Sequence, residues 1–222
     1  MNLKEYADRE MLEMEVANQL AGALRASLDL HEAASFAVPG GSTPGPIFDL
    51  LSGAELEWSR VHVMLTDERW VPEEDARSNT RLVRAHLLTD HAAAARFVPF
   101  YRAESTPEDG AAAVAQTLAP YLPLSLLVLG MGADMHTASL FPGAPGVEAA
   151  MAPDASLLCA VAPAGDVARV TLPAHVLERA MEAHVVITGQ AKRVALERAL
   201  TLPPEEAPIA TVLANATVHW AA

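Results

Sequence analysis

Four short segments of this 222-residue chain concentrate residue types that can do chemistry. In Gly40-Gly41-Ser42-Thr43-Pro44, two glycines permit close backbone approach and Ser42 and Thr43 add hydroxyls. Thr43-Pro44 also reads as a helix start, whose N–H groups can cradle a phosphate. An ordinary strand–turn–helix with Thr43 as cap uses the same residues. In Thr66-Asp67-Glu68-Arg69-Trp70, followed by Ser78-Asn79, two acids and an arginine crowd the end of an apolar run. That pattern suits a site, or a solvated loop whose acid and base pair with each other. In the segment from Gly130 to Gly143, Asp134 and His136 lie two apart and can face one side of an extended loop. A histidine beside a carboxylate can serve as a general base near neutral pH. Lastly, Arg169-Val170-Thr171-Leu172 precedes Thr188-Gly189-Gln190-Ala191-Lys192. Lys192 falls in the first turn of a helix, where a cation opposes the helix dipole unless an anion is also bound there. The only other lysine is Lys4.

Several chemistries lack their residues. No Gly-Lys-Ser/Thr follows the Gly40 loop, so it is not a Walker A loop. The third glycine of a dinucleotide loop would fall at Met135. There is no nucleophile elbow around any serine, no His-Glu-x-x-His and no cysteine cluster, so no zinc ligands are evident. The single cysteine, Cys159, rules out an internal disulfide and reads as a small core residue.

The elements that must position these segments alternate along the chain. Helices are expected from about Asp8 to Leu28, Thr43 to Leu51, Ser78 to Leu88, Ala111 to Leu118 and Ala191 to Leu200. Strands are expected at Ala33–Val38, Val61–Thr66, Arg96–Tyr101, Leu124–Leu129, Leu157–Ala162, Ala168–Leu172, Val185–Thr188 and Ile209–Leu213. The strand runs are solidly apolar, as in a sheet covered on both faces. The expected fold is α/β: one domain over residues 1–222, with an open, mostly parallel, Rossmann-like sheet and helices on both faces. Ligands of such sheets bind outside the carboxyl ends of the strands, where the four segments fall. Trp220, near the end of the chain, reads as core.

Composition bounds the partners. Hydrophobic residues make up 51% and charged residues 19%, a globular balance. The net charge of −13, from 28 acids and 15 bases, argues against nonspecific nucleic-acid binding and against an anionic membrane surface. A local cluster of cations can still hold a small anion. No apolar run reaches about 18 residues, and Met1-Asn2-Leu3-Lys4-Glu5 lacks the basic region and apolar core of a signal peptide. A soluble, cytoplasmic protein is expected.

Taken together, the chain resembles the 6-phosphogluconolactonase family, part of a larger group that includes glucosamine-6-phosphate deaminase. The resemblance rests on Pro39 to Pro44, Thr66 to Pro72 with Ser78-Asn79, Gly130 to Gly143, Arg169-Val170-Thr171, and Thr188-Gly189 with Lys192. Each is weak alone; five in the family's order are specific. His136-Thr137-Ala138-Ser139-Leu140-Phe141-Pro142 and Asp67-Glu68-Arg69 look like the lactonase form. The deaminases carry an Asn-Glu-Pro pattern near the histidine, absent here. One departure stands out: the family loop usually reads Asp-Gly-His, and here it reads Asp134-Met135-His136. A positive φ at Met135 would cost roughly 1 kcal/mol, and its side chain could occupy part of the pocket.

The resemblance implies hydrolysis of 6-phospho-D-glucono-1,5-lactone to 6-phosphogluconate in the oxidative pentose phosphate pathway. It implies His136 as the base that activates water, oriented by Asp134, with Arg69 or loop N–H groups at the carbonyl oxygen. Gly41, Ser42, Thr43, Arg169 and Lys192 are then the substrate-binding residues. A lactone is an activated ester, so neither metal nor cofactor is called for. Two alternatives remain open here. One is an isomerase or deaminase with Asp67 as the base; the other is a noncatalytic phosphosugar-binding module.

Overall fold

The apolar runs become adjacent strands in the computed structural model, which describes residues 1–103 and 106–222. The chain begins with β1 (Asn2–Glu5), α1 (Arg9–Leu30), β2 (Ala34–Val38), α2 (Pro44–Ser52), β3 (Val61–Leu65) and β4 (Asp67–Arg69). It continues with α3 (Asn79–His86), β5 (Arg96–Val98), α4 (Pro107–Leu118), β6 (Leu126–Leu129), α5 (Val147–Met151) and β7 (Cys159–Val161). It ends with β8 (Arg169–Thr171), α6 (Ala174–Glu178), β9 (Ala183–Thr188), α7 (Gln190–Ala199), α8 (Ala210–Leu213) and β10 (Thr217–Ala221).

Seven strands form one parallel sheet in the order β1-β10-β9-β6-β2-β3-β5. Every residue of β2 and β6 is buried, so both faces of the sheet centre are covered, as the expected α/β fold requires. Helices flank it. In α1, Asp8 caps the first turn by accepting from the Met11 N–H at 2.8 Å. Leu12, Val16, Leu20 and Leu24 recur at helical spacing and are fully buried against α2 and the sheet.

The strand order sets the position of the site. From β2 the chain builds outward to β3 and β5; β6, β9 and β10 then build out on the other side of β2. The order reverses between β2 and β6, and a crevice opens beyond their carboxyl ends. A second, three-stranded antiparallel sheet, β4-β8-β7, sits at that end. Its register sets Asp67 opposite Thr171 and Arg69 opposite Arg169. It is stitched to the main sheet by Thr66 N–H to Val38 C=O and Leu172 N–H to Thr66 C=O, both 2.9 Å.

Some expectations are corrected. Ile209–Leu213 was expected as a strand; Ala210–Leu213 is a short helix, and the last strand is Thr217–Ala221. Four or five apolar residues cannot distinguish a buried strand from a buried helical turn. The half-exposed edge strand β1 and the short helices α5 and α6 carried no pattern long enough to read. Asp67–Arg69 is a strand and not a loop. Helix α4 starts four residues before the expected Ala111, at Pro107, where the Thr106 hydroxyl caps the Asp109 N–H at 3.1 Å. Cys159 and Trp220 pack against the core but are only partly buried. Among the described residues, no helix is long and apolar enough to cross a membrane.

Candidate active site

An open cleft of about 250 Å³ lies where β2 and β6 part. Gly41, Ser42, Thr43, Asp67, Arg69, His136, Arg169 and Lys192 all line it. They come from five separate stretches of chain. Of the nine residues singled out from the sequence, only Asp134 is not on the cleft wall; it is hydrogen bonded to His136.

After β6 the chain makes a tight loop in which Gly132 N–H bonds the His136 carbonyl and Met135 N–H bonds the Gly132 carbonyl, each at 3.0 Å. The loop brings Asp134 Oδ1 to 2.5 Å from His136 Nδ1. Burial works to raise the Asp134 carboxyl, but its bonds to His136 outweigh this and hold it below the usual range. The ionised carboxylate accepts, so Nδ1 carries the proton and Nε2 presents its lone pair. Gly132 is required for this contact. A Cβ there would lie 2.2 Å from His136 Nδ1 and 2.3 Å from Asp134 Oδ1.

Met135 has φ +67°, so the expected strain is present. Its side chain does not enter the cleft, however: it is 6% exposed and buried in the hydrophobic core. Its carbonyl accepts from Ile209 N–H at 3.2 Å. The apolar side chain thus anchors the loop from behind and leaves the space before His136 open.

Arg69 and Asn79, which line the cleft, are held by Glu68. Fully buried, it accepts from the Asn79 and Thr80 N–H groups at 2.8 Å and from the Arg69 N–H at 2.7 Å, and so caps α3. Burial pushes its carboxyl up while these bonds pull it down; the net direction is up. Asn79 then reaches over the Gly40 backbone, where a Cβ would sit 1.8 Å from its Oδ1. Asn79 Nδ2 donates to the Asp67 carbonyl at 2.8 Å, and its Oδ1 accepts from Arg69 Nη1. Arg69 Nη1 also donates to the Arg77 carbonyl at 3.1 Å. Asp67 is buried, accepts from Ser139 Oγ at 2.6 Å and lies 3.9 Å from Arg169 Nη1. Arg169 pairs through Nη2 with Asp166, and its Nε is buried without a hydrogen-bond partner among the described residues.

Gly41, Ser42 and Thr43 also line the cleft. Gly41 has φ +93°, which strains any residue with a side chain. Thr43 occupies the cap position of α2, but its hydroxyl makes no capping bond. Pro44 and Pro46 remove two N–H donors from this helix start, so less of the cradle than expected comes from the helix. Lys192, third residue of α7, is half-buried, and burial lowers its ammonium pKa. Among the described residues it pairs with no carboxylate. A half-buried cation without a carboxylate partner can take an anion. No group of three or more His, Cys, Asp or Glu among the described residues is placed to hold a metal.

Residues 7–220 match the family model described as glucosamine-6-phosphate isomerases/6-phosphogluconolactonase. The chain belongs to this family. Family relatives include the 6-phosphogluconolactonase of Pseudomonas aeruginosa, 42% identical over 210 residues that span 92% of this chain and 88% of that one. The 6-phosphogluconolactonase of Rhizobium meliloti is 40% identical over 99% of this chain and 98% of its own. Among solved structures, a family member from Shewanella baltica, a 6-phosphogluconolactonase, superposes with a TM-score of 0.96 at 35% identity, covering 100% of this chain and 98% of the other. A monomeric glucosamine-6-phosphate deaminase superposes with a TM-score of 0.83 at 14% identity, a likeness of fold alone.

Sequence reasoning assigned no role to Asn79, Ser139 or Phe141, though all three lie in the segments that carry the family resemblance. Each touches a residue of the site: Asn79 the Gly40 loop, Ser139 Asp67, and Phe141 both His136 and Arg169. Polar or aromatic residues inside an otherwise functional segment were the available signal; their partners were not legible.

Proposed function

We propose that the protein hydrolyses 6-phospho-D-glucono-1,5-lactone to 6-phosphogluconate, the lactone-opening step of the pentose phosphate pathway, with His136 as the general base. The observation that carries this is that His136, paired with Asp134, lines the same cleft as a half-buried lysine that pairs with no carboxylate among the described residues. The phosphate sits against Lys192, Gly41, Ser42 and Thr43, with Arg169 bridging towards the ring. This remote handle fixes the lactone and lowers the entropic cost of reaching the attack geometry. His136 Nε2 takes a proton from water as its oxygen attacks the carbonyl carbon. Asp134 keeps the proton on Nδ1 and stabilises the imidazolium that forms. Arg69, held by Asn79 and the Arg77 carbonyl, faces the negative charge that develops on the carbonyl oxygen. Collapse of the tetrahedral intermediate expels the ring oxygen, which takes the proton from His136. Asp67 acts here as the buried acceptor that Ser139 and Arg169 converge on, not as a base.

Proton release from freshly made phospholactone tests this, at a pH where spontaneous opening is slow. Saturable acceleration is expected at catalytic protein concentrations, with kcat reduced at least about 10²-fold in His136→Ala. No acceleration by folded protein would refute the activity. Near-normal kcat in a folded His136→Ala variant would refute the base assignment.

A further inference from the structure

The turn after His136 brings an aromatic ring back onto it. Leu140 N–H bonds the Thr137 carbonyl at 3.0 Å, and Ala138 has φ +48°. Ser139 pins the turn from both ends, its Oγ on Asp67 at 2.6 Å and its N–H on Thr171 Oγ1 at 3.3 Å. Phe141 therefore lands on His136, with ring centroids 4.2 Å apart and planes tilted by 34°. The Arg169 guanidinium carbon lies 5.1 Å from the centre of the same ring. Phe141 is not among the residues that line the cleft.

We infer that Phe141 is a positioning residue: its ring sets the plane of the His136 imidazole and the place of the Arg169 guanidinium, so that base and substrate-binding cation keep one spacing. The inference rests on the proposed roles of His136 and Arg169. A single hydrogen bond at Nδ1 fixes one atom of His136 and leaves the ring free to swing about it. Contact with a second ring removes that freedom and aims the Nε2 lone pair. Arg169 has the same need. One of its terminal nitrogens is tied to the exposed Asp166, the other is 3.9 Å from Asp67, and its Nε has no hydrogen-bond partner among the described residues. A flat ring beneath the guanidinium supplies the missing constraint without competing for its N–H groups.

The test compares Phe141→Leu with Phe141→Tyr on the phospholactone and on unphosphorylated gluconolactone. Misplacing a reacting group by about 1 Å can cost about 10²-fold, so Phe141→Leu is expected to lower kcat on both substrates by about 10- to 100-fold. It should raise KM several-fold on the phosphorylated substrate only. Phe141→Tyr, which keeps the ring, is expected to restore kcat to within about 3-fold of the parent protein. A purely structural loss would lower the active fraction and leave KM unchanged. Nitrogen NMR of His136 gives a readout without turnover: one Nδ1–H tautomer in the parent protein, and exchange-broadened or mixed signals in Phe141→Leu. Phe141→Met, closer in volume, replaces the Leu variant if that fails to fold. Unchanged kcat, KM and His136 signals in a folded Leu or Met variant would overturn the inference, as would a Tyr variant no better than Leu. If the parent protein does not open the phospholactone, the proposed function fails instead; the NMR comparison still decides whether Phe141 holds His136.

Discussion

Gly132→Ala separates Asp134 from His136 while leaving both in the protein. The added Cβ would lie 2.2 Å from His136 Nδ1, 2.3 Å from Asp134 Oδ1 and 2.3 Å from His136 Cε1. Ordinary contact begins near 3.4 Å, so the imidazole and the carboxylate must each retreat by roughly 1 Å. Neither can do so without loss. The ring is backed by Phe141, and the carboxylate is the acceptor that keeps the proton on Nδ1. A displacement of about 1 Å at a reacting group costs about 10²-fold, so kcat is expected to fall by about two orders of magnitude. Gly132 does not need a positive φ, so the backbone accepts alanine, and reduced freedom of the unfolded chain favours folding by about 0.4–1 kcal/mol. The expected phenotype is a folded protein of near-parental melting temperature, with KM changed by no more than a few-fold because the phosphate end is untouched. Initial rates of acid release across a range of phospholactone concentrations would measure it, alongside thermal unfolding. Parental kcat in folded Gly132→Ala would show that the Asp134–His136 contact is not needed for turnover.

Lys192→Ala is expected to raise KM for the phosphorylated lactone with a smaller effect on kcat; an equal loss on unphosphorylated gluconolactone would show that Lys192 does not hold the phosphate. A different region contributes to acid stability. His184 Nδ1 lies 2.9 Å from His219 Nε2, and His219 Nδ1 lies 2.7 Å from the Tyr6 hydroxyl. Burial first, then the charges of His184 and Lys4, lower the pKa of His219 from 6.5 to about 3. Between those values the unfolded chain binds a proton that the native protein refuses, so stability falls as pH drops from 6.5 towards 3. His219 alone contributes a slope of up to about 1.4 kcal/mol per pH unit. His219→Gln should flatten denaturant-unfolding stability over this range; an unaltered pH slope would refute the assignment.

What could be read from the chain alone followed from local physics. Solid apolar runs such as Ala34–Val38 and Leu126–Leu129 showed strands buried on both faces, and hence an α/β sheet with its site at the strand ends. Asp134 and His136 were legible as a pair because they are two residues apart in one loop, and Lys192 because lysine is scarce and opposes a helix dipole. The tertiary structure decided what depends on contacts across sequence. The segment Ile209–Leu213 could have been strand or helix until its packing was set. Met135 could have blocked the pocket; the fold turns its side chain into the core, because the loop lies over apolar residues on the side away from the cleft. Arg69 and Arg169 meet through antiparallel pairing between strands a hundred residues apart in sequence, and Asn79 reaches Gly40 only because α3 starts on buried Glu68. Side-chain type and short spacing are written in the sequence; the partner of a side chain is set by which strands and helices are brought together, and that is a property of the whole packed chain.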